Sequence, residues 1–204
     1  MTGQVGISKL LKHPKMESKA TRLSSPPAKR VVLSSMNFDY SAFRYVKLFI
    51  KKQIMNFRTL TNRKTVDLVD YVKTYLNANP DTELLIGCDS QNYAYNTTYA
   101  TVVALYKPKG GAHVLFNKEI LPIERTRQVR LMNEVWKSIE VAELLKNSGL
   151  PQVKYIDIDI NPDKKYKSNE VLRAAVGLVE GMGYTVRYKS MGVAATYAAD
   201  MLVK

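Results

Sequence analysis

Apolar residues recur at helical spacing between Tyr40 and Phe57, with basic residues on the remaining faces. The apolar positions are Phe43, Val46, Ile50, Ile54 and Phe57. Residues three or four apart share one face of a helix, so this spacing predicts an amphipathic, basic helix over 40–57. A second helix is predicted from Lys64 to Asn77, because its valines and Leu76 form one stripe before Pro80 ends the pattern.

Strand patterns dominate after residue 80. Three β-rich segments with short connections, Leu84–Ser90, Tyr99–Tyr106 and His113–Leu121, predict an antiparallel meander. The remaining elements are predicted as a helix over 124–147, a strand over 153–160, a helix from Ser168 to about Gly181, a strand over 184–189 and a helix over 192–203. Strands joined through helices run parallel, so the order β-β-β-α-β-α-β-α predicts an α/β fold with a mixed five-stranded sheet flanked by helices.

The composition divides the chain into three parts. Residues 1–36 mix Ser, Pro and Lys without a sustained period, which is typical of a basic, disordered arm. Residues 37–80 hold the two predicted helices, and residues 81–204 hold the predicted sheet domain. Neither a long apolar stretch nor a secretory signal is visible, so we expect a cytoplasmic protein that does not bind membranes.

The net charge of +13 is concentrated at the front of the chain. Residues 1–65 hold fourteen basic and two acidic residues, or +12, and the rest hold seventeen basic and sixteen acidic residues, or +1. Such an arm is typical of nucleic-acid binding, because each cation placed on a phosphate releases counterions. A solvated tail that keeps the protein soluble fits the charge equally well, and the extension could also contact a protein partner or larger assembly. The candidate phosphate contacts in this region are Arg44, Lys47, Lys51 and Lys52.

Three acidic residues lie inside two apolar strands. Asp89 follows Leu84-Leu85-Ile86-Gly87-Cys88, and Asp159 ends the run Tyr155-Ile156-Asp157-Ile158. A half-buried carboxylate is costly to hold ionised unless a cation meets it. Asp157 and Asp159 share one strand face, so one of them could pair with a lysine; we favour Asp159 for the site, because ligands gather where strands end.

Helical acids complete the candidate site. Glu134 is preferred over Glu140 and Glu143, which are three residues apart on one helix face and resemble a solvated stripe. Asp200 lies among alanines of the last helix, where exposure is as expected as function. Lys164, Lys165 and Lys167, which follow Asp159 before a helix start, are candidate phosphate contacts.

The composition restricts the metal chemistry. With one cysteine and two histidines, the chain cannot form the usual Cys/His zinc site. A site for a hard cation with oxygen ligands remains possible. Asp89 and Asp159 on adjacent parallel strands would repel each other, and a divalent ion resolves that repulsion most simply. Two Mg²⁺ or Mn²⁺ ions about 4 Å apart could activate a water and stabilise a leaving oxygen of a phosphodiester.

The ordered set of motifs resembles the ribonuclease H-like superfamily, and the segment from about Phe57 onward resembles its YkuK-like family. The motifs are IGCDSQ at 86–91, NEVWKSIEVA at 133–142, DINPDKKYKSNEVLRAAVGLVEGMGY at 159–184 and AADMLV at 198–203. The resemblance implies that Asp89, Glu134, Asp159 and Asp200 bind two magnesium or manganese ions and catalyse phosphodiester cleavage.

Three functions follow from these patterns. The leading hypothesis is a metal-dependent nuclease acting on structured, hybrid or branched DNA or RNA. The second is a non-catalytic nucleic-acid-binding or assembly protein that keeps the same fold. A phosphatase-like or nucleotide-binding domain ranks last, because the chain has no Gly-rich phosphate loop of the P-loop type.

Overall fold

The computed structural model describes residues 56–191 and 193–204. The predicted arm over 1–36, the predicted helix apart from its last residues, and the four basic candidates from Arg44 to Lys52 lie outside the described residues.

The described residues form seven strands and four α-helices. The strands are β1 (Asn56–Thr59), β2 (Thr65–Asp67), β3 (Glu83–Asn92), β4 (Asn96–Lys107), β5 (Gly111–Pro122), β6 (Tyr155–Ile158) and β7 (Val186–Tyr188). The helices are α1 (Leu68–Ala78), α2 (Arg127–Asn147), α3 (Leu172–Gly181) and α4 (Ala194–Val203). Two short 3₁₀ helices cover Lys167–Val171 and Lys189–Met191.

All the described strands form one mixed sheet, in the order β2-β1-β5-β4-β3-β6-β7. β3, β4 and β5 are antiparallel neighbours, as the short connections predict. β6 lies parallel to β3, and β7 lies parallel to β6, because α2 and α3 intervene in the chain. The predicted α/β fold with a mixed, helix-flanked sheet is therefore confirmed.

The prediction of five strands is wrong, because β1 and β2 extend the sheet. The period of the sequence predicts helices at Phe57 and Val66, yet these two residues face each other across an antiparallel pair. β1 also pairs with β5, where Arg58 lies opposite Phe116. Hydrogen bonds to distant strands outweigh the local helical pattern here.

The second predicted helix exists, but it begins later than Lys64. α1 starts after Asp67, whose carboxylate accepts a hydrogen bond from the amide of Asp70. This contact satisfies one of the free amides at the helix start. The predicted helix over 124–147 likewise begins at Arg127, because Glu124 is held by Asn92 and Thr97 of the neighbouring hairpin.

The helices cover both faces of the sheet. Residues of α1, α2 and α3 pack with Ile86 and Val103 in the larger core cluster, and α4 packs with Leu85 and Val102 in a second one. Burial on both sides explains why β3 is nearly continuous in apolar residues rather than alternating. Among the described residues, no helix is long and apolar enough to cross a membrane.

Candidate functional site at the carboxyl ends of the central strands

Asp89 lies on the face of β3 that is covered by α4. Side chains alternate along a strand, so Asp89 shares its face with Leu85, while Cys88 and Ser90 face α2. Cys88 is buried, and Thr101 Oγ1 donates to its Sγ at 3.5 Å. Burial raises the pKa of this thiol, so Cys88 is a core residue in this structure and not a nucleophile.

The register of β3 and β6 brings two aspartates together. Gly87 lies opposite Asp157, and the same register carried two residues further places Asp159 beside Asp89. β6 ends at Ile158 while β3 continues to Asn92, so the edge of β3 is open at this point. Groups from both faces of the sheet can meet there, outside the carboxyl ends of the parallel strands.

Neighbouring acids contribute to the raised pKa of Asp89. Burial raises its pKa from 3.8 to about 6, and the charges of Asp159 and Asp200 add to that rise. A hydrogen bond from the Ser90 amide and the Arg130 guanidinium act in the opposite direction. Three acids from β3, the end of β6 and α4 are thus close enough for mutual repulsion.

Glu134 approaches from α2 on the other face of the sheet. Its side chain is buried, and Ser90 Oγ donates to Oε1 at 2.5 Å. Arg130 Nη1 lies 3.3 Å from the same oxygen and also donates to the Ser90 carbonyl at 2.8 Å. Burial raises the pKa of Glu134 well above its usual range, and Asp89 is the next largest cause.

Asp159 is paired with a lysine. Lys189 Nζ lies 3.0 Å from Asp159 Oδ1, and this proximity raises the pKa of Lys189. The Oδ1 atom is buried, and apart from this ammonium group it has no polar partner in the described part of the chain. A single lysine therefore compensates the charge of Asp159.

Asp200 faces the same region from the last helix. It forms an ion pair with Lys204, four residues further along the chain, and both side chains are largely exposed. The Tyr93 hydroxyl, from the β3–β4 connection, donates to the carbonyl of Val203 and so fixes the end of α4 against the hairpin.

Asp157 has a structural role. It is fully buried and accepts two hydrogen bonds from the Arg187 guanidinium, at 2.8 and 3.0 Å. The amide of Ala195, at the start of α4, also donates to it at 2.9 Å. The carboxylate therefore anchors the helix that carries Asp200, and the lysine expected beside one of the two acids of this strand lies against Asp159 instead.

The other helical acids lie apart from this centre. Glu140 is exposed on α2, and Glu143 accepts a hydrogen bond from the Tyr184 hydroxyl at 2.6 Å, which lowers the pKa of that carboxylate. Of the three glutamates compared in the sequence, only Glu134 interacts with Asp89 and Asp159 in the described structure.

The loop lysines are available to a ligand. Lys164, Lys165 and Lys167 are all exposed between β6 and α3, and Lys165 forms an exposed ion pair with Asp163 at 3.0 Å. They follow Asp159 by five to eight residues in the chain, in the loop and 3₁₀ helix that lead to α3.

Within the part of the chain that the structure describes, no enclosed pocket contains the acids. A void lined by Glu134 and Asp159 is too small to admit a water molecule, and larger grooves along α1 and beside β5 are lined by none of the four acids. Small-molecule sites are usually concave and apolar. A ligand of this centre would therefore lie across the surface at the strand ends.

The donor set suits a hard cation, although the described side chains are arranged around internal partners. All four candidates offer carboxylate oxygens, and the Oδ1 of Asp159, beside a single ammonium group, has capacity left for a ligand. Among the described residues, no three His, Cys, Asp or Glu side chains are placed to hold one metal ion. Glu134, Asp159 and Asp200 instead each lie against a basic side chain of the chain itself.

Sequence reasoning missed three basic partners of these acids. Arg130 had a local signal, since it precedes Glu134 by four residues and so shares its helix face. Arg187 and Lys189 had none, because their partners lie on a neighbouring strand and only the register of β6 and β7 brings them together.

Comparison with known proteins agrees with this architecture. The model of one protein family, described as ribonuclease H-like, matches residues 66–204. The matched segment contains all four candidate acids. It confirms the resemblance to that superfamily and is consistent with the YkuK-like family name. A search of curated proteins finds no match.

Proposed function

The chain belongs to the ribonuclease H-like family, and from that premise we propose that it is a metal-dependent nuclease that hydrolyses phosphodiester bonds of structured, hybrid or branched nucleic acid. One observation carries the proposal: acids from β3, α2, the end of β6 and α4 meet where their charges interact. Natural folds rarely retain such repulsion without a use for it.

The proposed cofactor is Mg²⁺ or Mn²⁺, held as two ions. Asp89 and Asp159 are the central ligands, with Glu134 and Asp200 beside them. When bound, such ions activate a water and stabilise the leaving oxygen. The four carboxylates would hold these cations in exchange for the basic side chains that now lie against Glu134, Asp159 and Asp200.

The proposed substrate follows from shape and charge. Neither of the larger grooves described above is lined by the acids, and Asp159 and Asp200 are partly exposed, so an extended phosphodiester fits better than an enclosed small molecule. The exposed lysines at 164, 165 and 167 would bind its phosphates, as would Arg44, Lys47, Lys51 and Lys52 of the basic extension.

The test is cleavage by the purified full chain. Single-stranded, duplex, hybrid and branched DNA and RNA are incubated with Mg²⁺ or with Mn²⁺. We expect cleavage of at least one substrate, and Asp89→Asn should reduce it by more than ~100-fold, because loss of a ligand should exceed the effect of losing an outer partner.

Asp81→Asn is the matched control, since it makes the same chemical change at an exposed turn before β3. It should leave cleavage unaltered. The absence of cleavage across the whole panel with both metals would refute the nuclease proposal.

A second function, non-catalytic binding of nucleic acid, is favoured by the internal ion pairs. Asp159 and Asp200 lie against Lys189 and Lys204, an arrangement that is stable without a metal ion. In that case the full chain would bind nucleic acid in a salt-dependent manner without cleaving it, and Asp89→Asn would leave binding intact.

A further inference from the structure

Lys189 occupies the position where a cation would meet Asp159. The residue opens the 3₁₀ helix after β7, and its amide donates to the carbonyl of Ile160, which holds its backbone beside the end of β6. Its Nζ reaches to 3.0 Å from Asp159 Oδ1. The lysine therefore neutralises the one acid that lies directly beside Asp89.

The ammonium group is the partner that the described residues offer to Asp159 Oδ1. The oxygen is buried, lies 3.0 Å from Lys189 Nζ and has no other polar partner among the described residues. A single ammonium group leaves part of the lone-pair capacity of a carboxylate oxygen unused, so the oxygen keeps its affinity for a cation of higher charge.

The side chain of Lys189 can also move away from Asp159. This side chain is 44% exposed, against 26% for Asp159, and it ends in a compact charge on a flexible stem. The neighbouring pair of Arg187 and Asp157 differs in both respects, since it is bidentate and its acid is fully buried. We therefore expect the pair of Arg187 and Asp157 to stay closed, whereas the pair of Lys189 and Asp159 can open into solvent.

We propose that Lys189 is an internal counter-ion of Asp159, and that a divalent ion enters the site by displacing its ammonium group. This inference rests on the proposed metal-dependent function and deepens it. The displaced ammonium group would move into solvent, and the divalent ion would take over its compensation of the charge on Asp159. Lys189 is thus a positioning residue that sets metal affinity.

Calorimetric titration of the full chain with Mn²⁺, without nucleic acid, tests the displacement. Lys189→Met should bind Mn²⁺ about fivefold more tightly than the parent, the ratio that corresponds to an ion pair of ~1 kcal/mol. Lys189→Gln should give the same gain, and thermal melts verify that both variants fold.

Lys154→Met is the matched control. Lys154 pairs with Glu83 at 3.3 Å with similar exposure, 49% and 31%, but at the opposite end of β3. Its removal should change the Mn²⁺ affinity by less than about twofold, because a distant exposed charge is screened.

A double variant separates displacement from a general charge effect. On an Asp159→Asn background, Lys189→Met should produce no gain, because the pair that it opens is already absent. An equal gain on that background, an equal gain in Lys154→Met, or no gain in Lys189→Met would each overturn the inference. Failure of both the parent and Lys189→Met to bind Mn²⁺ would also overturn it.

The outcome is independent of the cleavage assay. Cleavage without a change in Mn²⁺ affinity would overturn only the role of Lys189. Tighter Mn²⁺ binding by Lys189→Met without cleavage of any substrate would overturn only the nuclease proposal.

Discussion

Asp89 is the acid of the candidate site that carries an electrostatic penalty without an ion pair among the described residues to offset it. It has no ion pair among the residues that the structure describes, whereas Glu134, Asp159 and Asp200 each have one. Burial and the neighbouring acids shift its pKa from 3.8 to about 6. Between these two values the folded state binds more protons than the unfolded chain, so the stability of the metal-free protein falls as the pH rises.

The first prediction is that Asp89→Asn stabilises the protein when a chelator is present. A rise in the pKa of Asp89 from 3.8 to about 6 corresponds to a gain of at most about 3 kcal/mol in the free energy of unfolding when the acid is removed. The full gain is expected at pH 7.5, where Asp89 is ionised in the folded protein. The gain should shrink as the pH falls below 6 and vanish near pH 4. Urea denaturation at several pH values measures it, with Asp81→Asn as a neutral control. A less stable Asp89→Asn protein at pH 7.5 would contradict this account.

At the scale of elements, the position of α4 depends on two contacts with the sheet. Asp157 of β6 accepts the amide of Ala195, and Gly87 of β3 allows the helix to approach closely. A Cβ atom at Gly87 would lie 2.9 Å from the backbone nitrogen of Thr196. Since α4 carries Asp200, the close packing of β3 and α4 determines where this acid lies relative to Asp89.

The second prediction is therefore that Gly87→Ala pushes α4 away from β3. The added methyl group meets backbone atoms that cannot rotate away, so we expect a loss of ~1–3 kcal/mol in the free energy of unfolding. Gly177→Ala in α3 is the control, because no atom lies within 4 Å of the place that its methyl group would take, and alanine favours a helix by ~0.5–1 kcal/mol. Equal effects of the two substitutions would refute the packing argument.

On the scale of the whole molecule, charge is divided unevenly between the basic extension and the sheet domain. Residues 1–55 hold eleven basic and two acidic residues, or +9, whereas residues 56–204, which form the sheet domain and hold all four acids, have twenty basic and sixteen acidic residues, or +4. The extension thus has the higher positive charge per residue. The basic extension would therefore supply most of the salt-dependent attraction for nucleic acid.

The third prediction concerns the salt dependence of binding. Replacing Arg44, Lys47, Lys51 and Lys52 by Gln in the full chain should reduce the slope of log K against log salt by up to ~0.9 for each lost phosphate contact. Fluorescence anisotropy with a labelled oligonucleotide measures the slope. Lys73→Gln with Lys109→Gln, two exposed positions of the domain, should leave it nearly unchanged. An unaltered slope in the fourfold variant would exclude these four residues as phosphate contacts.

The sequence by itself determined the order of the central elements and the candidate acids. Periodicity is a local property, and a strand that follows a helix returns parallel to its predecessor, so the α/β fold and the direction of β6 followed. The place of β6 beside β3 rather than β5 did not follow from this rule, and this pairing brings Asp89 and Asp159 together.

Only the tertiary structure decided the partners of those acids. The segments at Phe57 and Val66 form strands because β1 pairs with both β2 and β5, and the pairing with β5 is not visible in any local pattern. The tertiary structure also placed Lys189 against Asp159 and Arg187 against Asp157, through the register of β6 with β7. Such contacts join residues far apart in the chain, and their geometry depends on the packing of the complete fold.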